Sequence, residues 1–217
     1  MRPIEIRRLG LVPYHEALTL QRSLVEQRRG DGIPDVLLLL QHPAVITLGV
    51  KGDGGRSNVV AAPDRLAELG IELAETGRGG DVTYHGPGQV VGYPILDLRP
   101  DRCDVHQYVR DLEEVMIRVC ADFGLRAGRI GGLTGTWIDD EKIGAIGIRI
   151  SRWITSHGFA FNVATNLDHF GFIVPCGIAD RGVTSLERAS GRPVPIAEAE
   201  DALVRHFCGV FGREATT

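Results

Sequence analysis

The chain has 217 residues, 43% of them hydrophobic, and carries 24 lysines and arginines against 28 aspartates and glutamates, a net charge of −4. That is enough apolar material for a sizeable core within one domain, and the charge balance excludes the strongly basic surface of a dedicated nucleic-acid binder. The longest apolar run, VLLLL at Val36–Leu40, is too short to span a bilayer, and the first residues, MRPIEIRRLG, lack the apolar core of a signal peptide, so the expectation is a cytoplasmic protein with neither membrane nor nucleic acid as partner.

Taken in chain order, Ala17, Leu18, Gln21, Leu24 and Val25 follow helical spacing and predict a helix over Tyr14–Arg29, ended by Gly30, Gly32 and Pro34. VLLLLQ reads as a buried strand and AVITLGV as a second, rich in β-branched residues. A short helix over Pro63–Leu69 opens with proline at an early position and stops at Gly70. The stretch TGRGGDVTYHGPGQ, Thr76–Gln89, reads as a loop, and VVGYPILDL after it as a strand. A long helix is predicted over Val105–Phe123, with Gly124 as its stop. GTWID and KIGAIGIRI flank Asp139, Asp140 and Glu141 as a hairpin; ITSHGFAFNV is the next strand, and helical periodicity returns over Ile196–Phe211. The class is α/β (α+β), with antiparallel pairing prominent in the second half.

Four cysteines, Cys103, Cys120, Cys176 and Cys208, are widely spaced without a C-x-x-C pair, which predicts free thiols. Cys103 and His106 form a lone C-x-x-H with no second ligand pair, so no metal site is expected. Cys120 and Cys208 fall within predicted helices and read as packing residues. Cys176, between Pro175 and Gly177 in IVPCGIADRGVTSL, stands in a fixed bend. From the residues alone it is a nucleophile, a metal ligand or a small loop residue.

The Thr76–Gln89 stretch combines five glycines with Arg, Asp, Tyr, His and Gln, the composition of a binding loop. It carries neither the G-K-[ST] ending of a P-loop nor the dinucleotide pattern. Its backbone around Gly77–Gly80, or the loop around Cys176, is a candidate source of oxyanion donors. Two strands then share an alternation. In KIGAIGIRI the isoleucines Ile146, Ile148 and Ile150 point one way and Ala145 and Gly147 the other; in ITSHGFAFNV, Phe159, Phe161 and Val163 oppose Ser156, Gly158 and Ala160. Small faces on neighbouring strands leave a groove suited to an extended apolar ligand, or allow close backbone packing. Lys142 begins the first of these strands. A cation within about 4–6 Å of a thiol favours the thiolate, so lysine and cysteine would form a nucleophile–base pair, with His85 and His157 as rival bases.

RGGDVTYHGPGQ, KIGAIGIRI, SHGFAFNV, IVPCGI and TSL, in this order, closely resemble the lipoyl(octanoyl) transferases. The resemblance runs from LQHPAVITLG through TSL, most of the chain. It implies a mixed, largely antiparallel sheet flanked by helices, the fold of the biotin and lipoate protein ligase catalytic domain, with residues 1–217 forming a single octanoyltransferase catalytic domain. The activity it implies is an acyltransferase step of lipoate biosynthesis, without a cofactor. An octanoyl group moves from octanoyl-acyl carrier protein to a lysine of the lipoyl domains of 2-oxoacid dehydrogenase E2 subunits and of the glycine cleavage H protein. By matching position, Cys176 is the acyl-thioester cysteine and Lys142 the lysine that lowers its pKa. Arg78, Gly79, Gly80, Asp81, Val82, Thr83, Tyr84, His85, Ala145, Ile146, Gly147, Gly158, Phe159 and Ala160 fall on substrate-binding segments. The chain departs from the family pattern at Gly144, where alanine is frequent, and at Phe161, where leucine is frequent. Rival expectations are an ATP-dependent lipoate or biotin ligase on the same scaffold and a non-catalytic module that binds acylated carriers.

Overall fold

A strand made from VLLLLQ is apolar at consecutive positions, and such a strand is stable only when both of its faces are covered. That requirement sets the architecture. The computed structural model describes residues 2–51, 53, 55–100, 102–174 and 181–216. Its first half contains β1 (Arg2–Leu11), α1 (Tyr14–Arg29), β2 (Asp35–Gln41), β3 (Val45–Leu48), α2 (Pro63–Glu68), β4 (Glu72–Glu75), β5 (Thr83–His85) and β6 (Gln89–Ile95). There follow α3 (Val105–Asp122), β7 (Gly128–Ile130), β8 (Leu133–Ile138), β9 (Glu141–Ser151) and β10 (Ile154–Asn162). The chain closes with β11 (Gly182–Val183), α4 (Leu186–Ser190), α5 (Ile196–Phe211) and β12 (Arg213–Thr216).

The main sheet runs β12-β1-β2-β6-β10-β9-β8-β7, with β11 added beside the start of β9. β12, β1 and β2 run parallel, and from β2 to β7 every neighbour is antiparallel. Period-two alternation sends the β2 side chains to opposite layers. Leu37 and Leu39 pack with Phe159 and Phe161 beneath α3 and α5, while Val36, Leu38 and Leu40 pack with Val91, Tyr93 and Ala160 against Ala17 and Leu24 of α1. A smaller sheet, β4-β3-β5, has its own apolar cluster around Ile46, Leu48, Tyr84 and Ile173. Gly144, a departure from the family pattern, lies under α3: a Cβ there would stand 2.5 Å from the Met116 sulfur, so the methionine occupies the space of the missing methyl. Among the described residues, no helix is long and apolar enough to cross a membrane.

Helix boundaries follow the sequence reading closely, but several strands differ. The strand predicted through Leu98 ends at Ile95, because side chains take the next backbone donors: Leu96 N–H bonds Thr155 Oγ1 and Asp97 N–H bonds Asp35 Oδ1. The glycine-rich stretch is not all loop, since Thr83–His85 pairs with β3. β1 and β12 were not anticipated, although the alternation of Ile4 and Ile6 with charged residues was visible.

Asp35 ties the far end of the sheet together. Its carboxylate accepts from Arg28 Nε at 2.9 Å, from Asp97 N at 3.0 Å and from Arg213 Nε at 2.9 Å, joining α1, the turn after β6 and β12. The Asp35 and Arg213 side chains are 2% and 4% exposed. Asp35→Ala leaves a buried guanidinium uncompensated, so urea denaturation should show a loss of about 3–5 kcal/mol. A change below about 1 kcal/mol, the size expected of an exposed pair, would show that the node is dispensable.

Candidate functional site

The antiparallel register of β9 and β10 sets Gly147 opposite Gly158 and Ala145 opposite Ala160. Both small faces turn toward the α1 side of the sheet, where the loop after β4 passes over them. A Cβ at Gly147 would come 2.9 Å from Arg78 Cδ and 3.1 Å from the Gly79 carbonyl, and one at Gly158 would come 2.6 Å from Pro94 Cδ. The glycines therefore serve both readings of the sequence, close backbone approach and a groove. Above them lies a cavity of about 460 Å³. Thirteen residues of the candidate binding segments, with Lys142, reduce to two walls of that cavity. Arg78, Gly79, Gly80, Asp81, Val82, Thr83 and His85 form one, and Ala145, Ile146, Gly147, Gly158, Phe159 and Ala160 the other.

Tyr84 does not join them. Thr83 and His85 face the cavity, and alternation along β5 turns the intervening tyrosine into the core of the small sheet, where its hydroxyl meets His169 Nδ1 at 2.8 Å. Cys176 lies outside the described residues.

Lys142 sits where three strands meet, with Trp137 of β8 on one side and Val183 of β11 on the other. Its ammonium lies 4.8 Å from the Trp137 ring centroid, a favourable cation–π distance. Its stem passes Gly135, where a Cβ would stand 3.4 Å from Lys142 Cε. Gly135 has φ +126°, and Glu113 of α3 holds its N–H at 3.0 Å. The hairpin expected of GTWID and KIGAIGIRI brings these strands together, and its two-residue turn sets Trp137 directly opposite Lys142.

A buried chain of hydrogen bonds crosses the site. Arg78 Nη2 donates to the Thr47 carbonyl at 2.6 Å and to Thr47 Oγ1 at 2.9 Å. Thr47 Oγ1 lies 3.4 Å from His85 Nε2, and His85 Nδ1 lies 2.7 Å from Gln89 Oε1. Gln89 Nε2 donates to Asn162 Oδ1, Asn162 Nδ2 donates to the Thr184 carbonyl, and Thr184 N donates to the Lys142 carbonyl at 3.0 Å. An amide oxygen only accepts, so His85 carries its proton on Nδ1. Asn162 extends the Gly158–Ala160 face by one more period-two step, a signal present in the sequence but unused.

The cavity also receives Tyr14, Tyr93 and His157. His157 adopts φ +54°, and its N–H is held at 2.7 Å by Gln21 Oε1 of α1. Burial pushes His85 down to about 3, helped by the charges of His42 and Arg78, and burial with Arg78 and Arg149 pushes His157 down to about 4. Burial holds His42 at about 4 as well. All three are neutral at pH 7, and so low a pKa makes His85 and His157 weak bases. Gly79 N–H already donates to the Ile148 carbonyl at 2.8 Å, which removes it from the candidate oxyanion donors. Cys120 is packed in the main core with its thiol pushed up to about 12, and burial raises Cys208 too.

Each of these histidines binds its proton more readily unfolded, near 6.5, than folded. Their stabilisation is complete above pH 6.5 and is lost as the pH falls toward 4. Urea unfolding at pH 5 should show lower stability than at pH 7, by up to about 2 kcal/mol per histidine. Equal stability at the two pH values would mean that these rings are not held neutral.

The description "Lipoyl protein ligase A/B catalytic domain" matches residues 13–208. An octanoyltransferase of Myxococcus xanthus is 52% identical over 220 residues, covering 99% of this chain and 61% of its own length. One from Rubrobacter xylanophilus is 51% identical over 211 residues, covering 96% of this chain and 94% of its own. The chain thus spans less than two thirds of the first relative and nearly all of the second. Among solved structures, a lipoate-protein ligase A bound with ATP superposes with TM-score 0.78 at 21% identity, over 100% of this chain and 90% of that one. Biotin protein ligase from Aquifex aeolicus gives 0.54 at 12%, over 96% and 69%.

Proposed function

This chain belongs to the octanoyltransferases, acyltransferases of the lipoyl protein ligase A/B family, and from that membership we propose that it moves an octanoyl group from octanoyl-acyl carrier protein to a lysine of lipoyl domains through a thioester on Cys176. Residues 1–217 act as one catalytic domain in this reaction, and no cofactor takes part. The acceptors are the lipoyl domains of 2-oxoacid dehydrogenase E2 subunits and the glycine cleavage H protein, and the setting is the cytoplasm. The observation that carries the reading is the place of Lys142. It lines a cavity floored by small side chains, beside the strand that begins six residues after Cys176.

In the first step Cys176 passes its proton to Lys142, and the thiolate attacks the donor's thioester carbonyl. A carbon–sulfur bond forms to Cys176 as the one to the carrier breaks, and the departing carrier thiolate takes the proton from Lys142, returning it to the neutral amine that the second step uses. Sulfur replaces sulfur, so the exchange is nearly isoenergetic and consumes no ATP. In the second step the acceptor amine attacks the acyl-enzyme, Cys176 leaves as thiolate, and the amine's proton passes to Lys142 or to that thiolate. Amide formation draws the sequence forward. The depressed pKa values of His85 and His157 favour Lys142 as the base.

From Lys142 to Gly147 the small-residue floor extends about 17 Å at strand spacing, room for an extended octanoyl chain. Burying about seven methylene-type groups contributes on the order of 5–6 kcal/mol of gross attraction. Gly147→Leu should fill the cavity and push on Arg78, so transfer should fall while an unfolding scan still shows a folded protein. Undiminished octanoyl turnover in that variant would place the acyl chain elsewhere.

Mixing the protein with octanoyl-acyl carrier protein, without ATP, should add the mass of one octanoyl group, and Cys176→Ala should abolish both adduct and transfer. Dependence on ATP and free octanoate would instead support the ligase chemistry of the structural neighbour. Binding without an adduct would support a non-catalytic module. In Lys142→Ala, the pH at which alkylation of Cys176 accelerates should rise; an unmoved profile would refute the pairing.

A further inference from the structure

The stretch that ends at Val174, two residues before Cys176, is fastened along its length to residues 58–61. Val59 pairs with Ile173 as an antiparallel bridge, and Val60 N–H donates to the Phe172 carbonyl at 2.9 Å. The last bond of this seam runs from Val174 N–H to the Asn58 carbonyl at 2.7 Å. The side chain of the same asparagine points the other way. Asn58 Nδ2 donates to Asp81 Oδ2 at 2.7 Å, and Asp81 Oδ1 accepts from Val82 N–H at 2.8 Å. Asp81 is 8% exposed and belongs to the glycine-rich wall of the cavity.

The segment that contains Asn58 is itself laid on that wall. Gly49, Val50 and Lys51 donate backbone hydrogen bonds to the Asp81, Arg78 and Gly80 carbonyls, each at 3.1 Å. Gly55 approaches Asp81 so closely that no Cβ would fit, and its φ of +80° is itself one that a side chain disfavours. Asn58 thus bonds the substrate wall through its amide and the approach to Cys176 through its carbonyl. On the far side of Cys176 the chain is held separately: Gly182 and Val183 pair with Glu141 and Lys142.

We propose that Asn58 is a positioning residue for the acyl transfer: by fixing Val174, two residues before Cys176, to the glycine-rich wall, it makes transfer to the cysteine depend on the Asn58–Asp81 bond. The proposal rests on Cys176 being the acylated group. The two anchors then divide the work. The β11 pairing joins the chain after Cys176 to Lys142, the group that governs ionisation of the thiol, whereas Asn58 joins the chain before it to the wall that lines the cavity. Weakening Asn58 alone should slow acyl transfer without altering thiol ionisation.

Asn58→Asp places an acceptor against Asp81 Oδ2 and turns the bond into a repulsion. Formation of the octanoyl adduct, followed by rapid-quench mass spectrometry, should slow by about tenfold to a hundredfold, the cost of displacing reacting groups by roughly an ångström. The pH profile of Cys176 alkylation should match wild type. The double variant N58D/D81N restores a donor facing an acceptor. D81N alone sets the new amide donor against Asn58 Nδ2 and breaks the same bond, so both single variants should be slow and the double variant should react at least about tenfold faster than either, a coupling that isolates the pair. Adduct formation in Asn58→Asp at the wild-type rate, or a double variant as slow as Asn58→Asp, overturns the proposal. So does a shifted alkylation profile, which would mean that Asn58 acts on the thiol itself. Absence of any adduct in wild type would instead refute the thioester reading on which the proposal stands.

Discussion

The chain of hydrogen bonds from Arg78 to the Lys142 backbone is the constraint on which the site depends. Its members come from the glycine-rich wall, β3, β5, the start of β6, the end of β10 and the residue after β11. Each is buried, and a buried polar group left without a partner costs about 1–3 kcal/mol. The network therefore tolerates few alternative arrangements of the two sheets. It also explains why a histidine inside the glycine-rich stretch stays neutral. His85 is enclosed, and its two nitrogens already face Gln89 and Thr47.

The second constraint is steric. The main sheet is covered on both faces, by α3 and α5 on one side and α1 on the other. A cavity survives on the α1 side because β9 and β10 present alanine and glycine there, while most of the bulk of their isoleucines and phenylalanines packs into the opposite layer, Ile146 and Phe159 also bordering the cavity. The same absence of side chains lets Arg78 and Gly79 descend onto Gly147. Wall and floor are thus brought together by what those positions lack. The polar network then fixes how far apart they stand.

Lys142 and the chain on either side of Cys176 rest on separate supports. Lys142 rests on β8, with Gly135 against its stem and Trp137 against its charge. The approach to Cys176 is seamed to residues 58–61, and its exit is paired with β9.

Much of this was legible from the residues. Consecutive apolar positions in VLLLLQ require a strand buried on both faces, and the alternation in KIGAIGIRI and ITSHGFAFNV requires one bulky and one small face, because side-chain direction along a strand is a local property. The ordered motifs identify the family for the same reason: each is contiguous. What tertiary structure decided is non-local. That the cavity lies on the Thr83 and His85 side of β5 and not on the Tyr84 side, that Val183 joins Trp137 beside Lys142, and that Asn58 joins the glycine-rich wall to Val174 all depend on contacts between elements distant in the chain. Periodicity fixes which way a residue points relative to its own strand; only the packed sheet decides what stands opposite.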